Sequence, residues 1–173
     1  MSKRFALTAA GVATAAIGST ASADLVNFVV HQDAYIGEAS WQLTDASSNT
    51  IAQMFIGSSG LYIFITTSQS SSRPVAFGAA SAFPSDGYFT SFSMDLAAGN
   101  YYVAMQDTWG DGWDGFSNTG LDAFAVSGAI DGGSATFAFT TGNSAVGAFT
   151  VVPAPGALAL LGLAGLSTRR KRN

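Results

Sequence analysis

The sequence predicts an all-β fold: an antiparallel β-sandwich or jelly-roll-like domain over residues 24–152, flanked by a hydrophobic helix at each end. Apolar side chains alternate with polar ones at period two, as in Phe92, Met94 and Leu96. Clusters of Gly, Asn, Asp and Ser separate such runs at short intervals. The longest apolar stretches without this alternation lie near the two termini. This spacing predicts eight or nine short strands.

The N-terminal segment, residues 1–23, has the order of a secretory signal peptide. Lys3 and Arg4 form a positive region, an apolar run of small residues and Leu follows, and Ala21 and Ala23 make an A-x-A cleavage site. We therefore expect an N-terminal signal helix, cleavage after Ala23, and export machinery and signal peptidase as partners.

The strand patterns of the domain predict which side chains face inward. Period-two alternation selects Trp41, Leu43, Ile63, Ile65, Phe92, Met94, Tyr101, Val103, Phe137 and Phe139. The run 61–65 is apolar without a break, which is typical of a strand buried on both faces. Turns are predicted at 45–49, 57–60, 98–100, 131–133 and 142–144.

The charge of the domain is strongly acidic. All eleven acidic residues of the chain fall within residues 24–152, where Arg73 is the only Lys or Arg, so the formal charge of the segment is −10. Such a surface repels phosphate backbones, which disfavours nucleic acid as a partner, and it attracts cations. The chain has no Cys, so disulfides do not stabilise the fold.

No catalytic constellation is recognisable. His31 is the only histidine, placed by its strand pattern on a polar face, and the domain has neither Cys nor Lys to serve as a nucleophile. We assign no catalytic residue and interpret the protein as a non-enzyme. Paired carboxylates leave polysaccharide hydrolysis as a third interpretation, after a binding module.

The segment 107–115 concentrates carboxylates, tryptophans and glycines directly after a predicted strand. Glycines let the backbone turn tightly, and Asp107, Asp111 and Asp114 supply the oxygen ligands that Ca²⁺ favours. The alternative is a tight turn, since Asp-Gly pairs are ordinary turn formers. In that case Trp109 and Trp113 pad the end of the domain; otherwise their rings form a ligand-binding platform for carbohydrate. Calcium is the cofactor that the first interpretation implies.

Two short motifs extend this hypothesis. A Glu-x-x-Trp-x-Leu strand at 38–43 and an Asp-x-x-Gly-Asp-Gly loop at 107–112 resemble a β-rich module that recurs in secreted bacterial proteins. The resemblance implies an extracellular or surface role. The pairing of the motifs suggests that Glu38 lies near the loop, as a fourth oxygen ligand or as a partner of its backbone. A buried structural Glu beside Trp41 is the other interpretation.

The C-terminal segment, residues 153–173, has three parts in a fixed order. Prolines precede eleven apolar residues, and a basic cluster ends the chain; the residues concerned are Val152, Pro153, Ala154 and Pro155, then Arg169, Arg170, Lys171 and Arg172. An eleven-residue helix rises only about 16 Å, against roughly 30 Å of bilayer hydrocarbon. Basic residues stay on the cytoplasmic side. These features suit a temporary anchor better than a permanent span.

This tail resembles the PEP-CTERM sorting signals of Gram-negative bacteria, with Ala154 where that family most often has Glu. The resemblance implies an exported protein held transiently at the inner membrane, cut by an exosortase-type enzyme, and then located at the cell surface or outside the cell. The leading hypothesis is therefore a non-enzymatic envelope or extracellular-matrix protein, with extracellular polysaccharide as a possible partner. The alternative is a calcium- or carbohydrate-binding module.

Overall fold

A computed structural model gives the fold of residues 23–65, 75–79, 86–113 and 123–153. The expected signal helix and C-terminal helix lie outside these residues, and so does Asp114. Within the described ranges, no helix is long and apolar enough to cross a membrane.

The described part of the chain forms ten β-strands rather than the eight or nine expected. They are β1 (Ala23–Gln32), β2 (Ala39–Asp45), β3 (Thr50–Gly57), β4 (Gly60–Ile65), β5 (Ala76–Ala79), β6 (Tyr88–Ala97), β7 (Gly99–Asp107), β8 (Ala123–Gly128), β9 (Ser134–Ala138) and β10 (Ser144–Val151). Each of the five predicted turn clusters includes the junction between two consecutive strands, although most clusters overlap a strand end and 98–100 extends into β7.

The strands build two five-stranded sheets, with the orders β5-β6-β1-β8-β9 and β10-β7-β2-β3-β4 in the described residues. Every paired neighbour is antiparallel. The prediction of an all-β, antiparallel fold is therefore confirmed for the described part of the domain.

Aromatic rings join the two sheets in one core. Trp41 of β2 stacks on Phe92 of β6 with ring centroids 5.6 Å apart, and meets Phe124 of β8 edge to face at 5.4 Å. Phe28 of β1 meets Phe149 of β10 at 6.0 Å. Each such pair adds about 0.5–1.5 kcal/mol beyond the area that it buries. Side chains of both sheets thus share one interior.

Most of the predicted inward positions are buried: Trp41, Leu43, Phe92, Met94, Tyr101, Val103 and Phe139. Ile63 and Phe137 are only partly buried and pack against this core. The expectation that the run 61–65 is buried on both faces is wrong, because β4 is an edge strand of the described sheet and Tyr62 is 43% exposed. His31 is buried instead of facing solvent.

The end of the molecule where β1 and β7 finish and β2 begins is held from both sheets. β2 pairs with β7 so that Ala39 lies opposite Asp107. Gln32, the last residue of β1, is fully buried. With its amide oxygen facing Trp41, it accepts a hydrogen bond from the indole Nε1 at 3.1 Å. The residues that follow β1 are thereby fixed beside the start of β2.

Candidate metal centre

Three chain segments carry carboxylates to this end of the molecule. Asp33 directly follows β1, Glu38 directly precedes β2, and Asp107 is the last residue of β7, with Asp111 in the loop beyond it. The backbone N–H of Thr108 donates to the carbonyl of Glu38 at 3.2 Å, so the two segments remain in contact beyond the strands.

The four carboxylates converge. One oxygen from each of Asp33, Glu38, Asp107 and Asp111 lies within 4.8 Å of the others. Asp33 and Asp107 are buried, Glu38 is half-buried and Asp111 is exposed. Every Lys and Arg of the chain lies outside the described ranges. Within those ranges no cationic Lys or Arg side chain offsets the repulsion between the carboxylates.

The two oxygens of Asp107 have different surroundings. Oδ1 accepts hydrogen bonds from the backbone N–H groups of Trp109 at 2.7 Å and Gly110 at 2.8 Å, which closes the loop. Oδ2 is buried and has no hydrogen-bond partner in the described part of the chain. An ionised oxygen that is buried without a partner costs free energy. A cation between the four carboxylates would remove that cost.

Two glycines fix the path of the loop. Gly110 and Gly112 have φ of 91° and 85°, which disfavours other residues. A Cβ at Gly112 would stand 2.4 Å from the backbone nitrogen of Thr141. The loop therefore lies directly on the segment before β10, where the N–H of Gly142 donates to the carbonyl of Gly110 at 3.1 Å. These contacts place Asp111 beside Asp107.

The two tryptophans of the loop have opposite environments. Trp113 is fully buried, meets Phe139 edge to face, and donates from Nε1 to the carbonyl of Gln106 at 3.1 Å. Its ring is thus packing, and the hypothesis that it belongs to a ligand platform is wrong. Trp109 is 79% exposed and borders a pocket of about 300 Å³ together with Tyr35, Glu38 and Asp111.

Proton affinity at the centre reflects burial and mutual repulsion. Burial raises the pKa of Asp33 above its ordinary value; the N–H of Tyr35 opposes the rise, and the charges of Asp107 and Asp111 add to it. Desolvation also raises the pKa of Glu38, with further increases from Asp107, Asp33 and Asp111. Neutralisation by protons or by a metal ion is therefore favoured at both groups.

The structure places the sequence-predicted residues as follows. Glu38, Asp107 and Asp111 come together, as expected of a shared centre, while Asp114 lies outside the described residues. Asp33 was missed, although a carboxylate at the end of a strand, five positions before Glu38, was a usable signal.

The residues assigned to export and sorting fall at the limits of the described chain. Ala23 begins β1, Val152 donates its N–H to the carbonyl of Ala129, and Pro153 is the last described residue. Outside the described residues lie the other assigned positions: Ala21, Ala154, Pro155, Arg169, Arg170, Lys171 and Arg172.

Comparison of the chain with protein-family models, with curated proteins and with solved structures finds no match.

Proposed function

We propose that the protein is an exported, non-enzymatic β-domain that binds one Ca²⁺ ion through Asp33, Glu38, Asp107 and Asp111. The observation that carries this proposal is the buried, unpartnered Oδ2 of Asp107 inside a group of four converging carboxylates. We also propose a finer description of the fold: a β-sandwich of jelly-roll type between an N-terminal signal helix and a C-terminal hydrophobic helix.

The spacing of the oxygens is compatible with calcium, and the make-up of the site favours calcium over magnesium. Ca²⁺ binds oxygen at about 2.3–2.6 Å, so two of its ligands stand at most about 5 Å apart. The limit of 4.8 Å between the four carboxylate oxygens fits within that span. Mg²⁺ requires near-ideal octahedral geometry at about 2.0–2.1 Å, keeps several waters and usually takes only one or two carboxylates, so a group of four protein carboxylates suits Ca²⁺ better.

The bound ion would act as a clamp. It would join the segment after β1, the start of β2 and the loop after β7, and so connect the two sheets at one end. Extracellular calcium modules bind at about 10⁻⁴–10⁻³ M. Affinity in that range suits a domain that meets calcium only after export and uses it for stability.

Export and sorting complete the proposal. The signal segment 1–23 and the PEP-CTERM-like tail 153–173 support secretion, transient anchoring in the inner membrane and release by an exosortase-type enzyme to the cell surface or beyond. The acidic domain supports neither a nucleic acid nor an anionic membrane as partner.

A thermal melt in calcium and in chelator tests the metal centre. If only the folded state binds, calcium at a hundredfold excess over Kd raises stability by about 2.7 kcal/mol. Asp111→Asn should remove most of this gain, because Asp111 is an exposed ligand with little role in the apo fold. Asp131→Asn, an exposed carboxylate in the turn between β8 and β9, is the matched control and should keep the full gain. Superimposed melts of the native protein in calcium and in chelator would reject the proposal.

A further inference from the structure

The pocket beside the metal centre is lined by both carboxylates and aromatic rings. Its two carboxylates, Glu38 and Asp111, are the less buried pair of the four, and its two aromatic residues, Tyr35 and Trp109, are 49% and 79% exposed. The buried pair, Asp33 and Asp107, lies on the protein side of the centre. The outward side of the centre thus opens into a space with aromatic walls.

Trp109 is held at the rim of this pocket by a residue of the centre itself. Asp107 accepts the N–H of Trp109 through Oδ1 and is also one of the four carboxylates of the cluster. The carboxylate that would bind the ion therefore also fixes the backbone that exposes the indole. The closed loop, the bound ion and the exposed position of the Trp109 ring would thus all depend on the side chain of Asp107.

The coordination number of calcium leaves room for an outside ligand. Ca²⁺ takes six to eight oxygens, and the cluster offers four carboxylates. An outside ligand would enter from the open side of the cluster, where Trp109 borders the pocket. A ligand there needs neighbouring oxygens for the ion and a flat apolar face for the indole.

We propose that this pocket binds a neutral saccharide, with two adjacent hydroxyls on the calcium ion and one sugar face on Trp109. The inference rests on the proposed calcium centre. A sugar ring carries vicinal hydroxyls on its edge and C–H groups on its faces, so one residue meets both requirements. Tyr35 forms the facing wall.

Charge decides in favour of a neutral ligand. Four carboxylates around a divalent ion leave a formal charge of −2 at the site, and the domain as a whole carries −10. Phosphorylated or carboxylated ligands and anionic lipid headgroups are repelled by that field. An uncharged sugar has no such penalty.

Saccharide titrations of the full chain test the inference, in a detergent whose headgroup contains no sugar. The probes are methyl α-mannoside and methyl β-galactoside, which present cis hydroxyl pairs, and the 2-deoxy analogue of the mannoside, which lacks one hydroxyl. The readouts are tryptophan fluorescence and calorimetry, in calcium and in chelator. We expect binding of at least one of the two intact probes, only in calcium. If the mannoside binds, its deoxy analogue should bind about tenfold more weakly or not at all.

Two variants separate the sugar site from the metal centre. Trp109→Ala should weaken saccharide binding at least about tenfold, which corresponds to 1.4 kcal/mol, while the calcium-induced rise in melting temperature persists. Tyr62→Ala removes an exposed aromatic ring from the edge strand β4 and should change neither.

The outcomes are distinct. Calcium binding without any saccharide response overturns this inference and leaves the metal proposal standing, whereas no calcium binding overturns both. Calcium-dependent binding to phosphatidylserine vesicles that requires Trp109, with no response to the sugars, would replace the saccharide by a membrane surface. Saccharide binding that persists in chelator would also overturn the inference.

Discussion

Two aspartates at opposite ends of the β2–β7 pair each close the turn that follows them through Oδ1, but their second oxygens differ. Asp45 accepts the backbone N–H groups of Ser47 and Asn49 through Oδ1, at 2.8 and 2.9 Å, as Asp107 does with Trp109 and Gly110. The second oxygen of Asp45 receives the Asn49 amide at 2.9 Å, whereas that of Asp107 is buried and unpartnered among the described residues.

At Asp45 both carboxylate oxygens accept hydrogen bonds, and we call this the finished turn. At Asp107 one oxygen has no partner among the described residues, and we call this the unfinished turn. Hydrogen bonds from Asn49 lower the pKa of Asp45, so its charge is satisfied locally. At Asp107 three further carboxylates replace the amide. The turn interpretation and the calcium interpretation of the loop are therefore compatible, because Oδ1 closes the turn while Oδ2 is buried without a hydrogen-bond partner in the described residues.

The largest expected effect concerns the backbone of the unfinished turn. Gly112→Ala should lower the free energy of unfolding by about 2–4 kcal/mol, since it adds left-handed strain and a collision with the segment at Thr141. Gly132→Ala is the control: its φ is 74° but its Cβ would meet nothing within 4 Å, so only strain of about 1 kcal/mol remains. Urea unfolding measures both. Equal losses of unfolding free energy in the two variants would contradict the claim that the close approach of the Thr141 backbone requires glycine at position 112.

The next effect has opposite signs at the two aspartates. In chelator at neutral pH, Asp45→Asn should destabilise the protein, because it removes a charge that three hydrogen bonds favour. Asp107→Asn should leave apo stability unchanged or raise it, because the amide oxygen still closes the loop and the repulsion falls. Urea midpoints of the two variants give the comparison. Strong destabilisation by Asp107→Asn in chelator would contradict it.

The pH dependence of stability should also differ between the two turns. The lowered pKa of Asp45 means that its contribution is present above the ordinary value of 3.8 and is lost as pH falls through the folded value. The raised pKa values of Asp33 and Glu38 mean the reverse: their contribution is present below 3.8 and 4.5 and is lost as pH rises through the folded values.

Calcium should abolish the loss of stability that Asp33 and Glu38 cause as pH rises, since the ion binds the ionised carboxylates. Urea unfolding from pH 3 to pH 7 should therefore show curves in calcium and in chelator that separate as pH rises. A constant gap across this range would mean that Asp33 and Glu38 do not titrate at the site.

Local patterns made the strands and turns predictable. Alternation along 92–96 and the residue types at 45–49 act over a few positions, so each is visible in the sequence. The edge position of β4 was not visible, because an apolar run reads alike at the edge and at the centre of a sheet. Loop residues follow no period, so nothing distinguished buried Trp113 from exposed Trp109.

The centre was predictable only where a motif marked it. Asp107 and Asp111 lie in one dense segment, and Glu38 was placed near them by a paired motif. Asp33 reaches the cluster because β1, in the other sheet, ends beside the start of β2, and Gln32 fixes that end. This proximity is a property of the tertiary fold, and its one local signal was the position of Asp33 at a strand end, five residues before Glu38.

A calcium titration of the Asp33→Asn variant tests the central claim most directly, that carboxylates from three segments hold one ion. Calorimetry should give one site per native chain, and Asp33→Asn should weaken it about tenfold or more, equivalent to 1.4 kcal/mol. Asp45→Asn, the aspartate of the finished turn, should bind as the native protein does. Absence of calcium binding by the native chain, or equal affinity in the Asp33→Asn variant, would contradict the account.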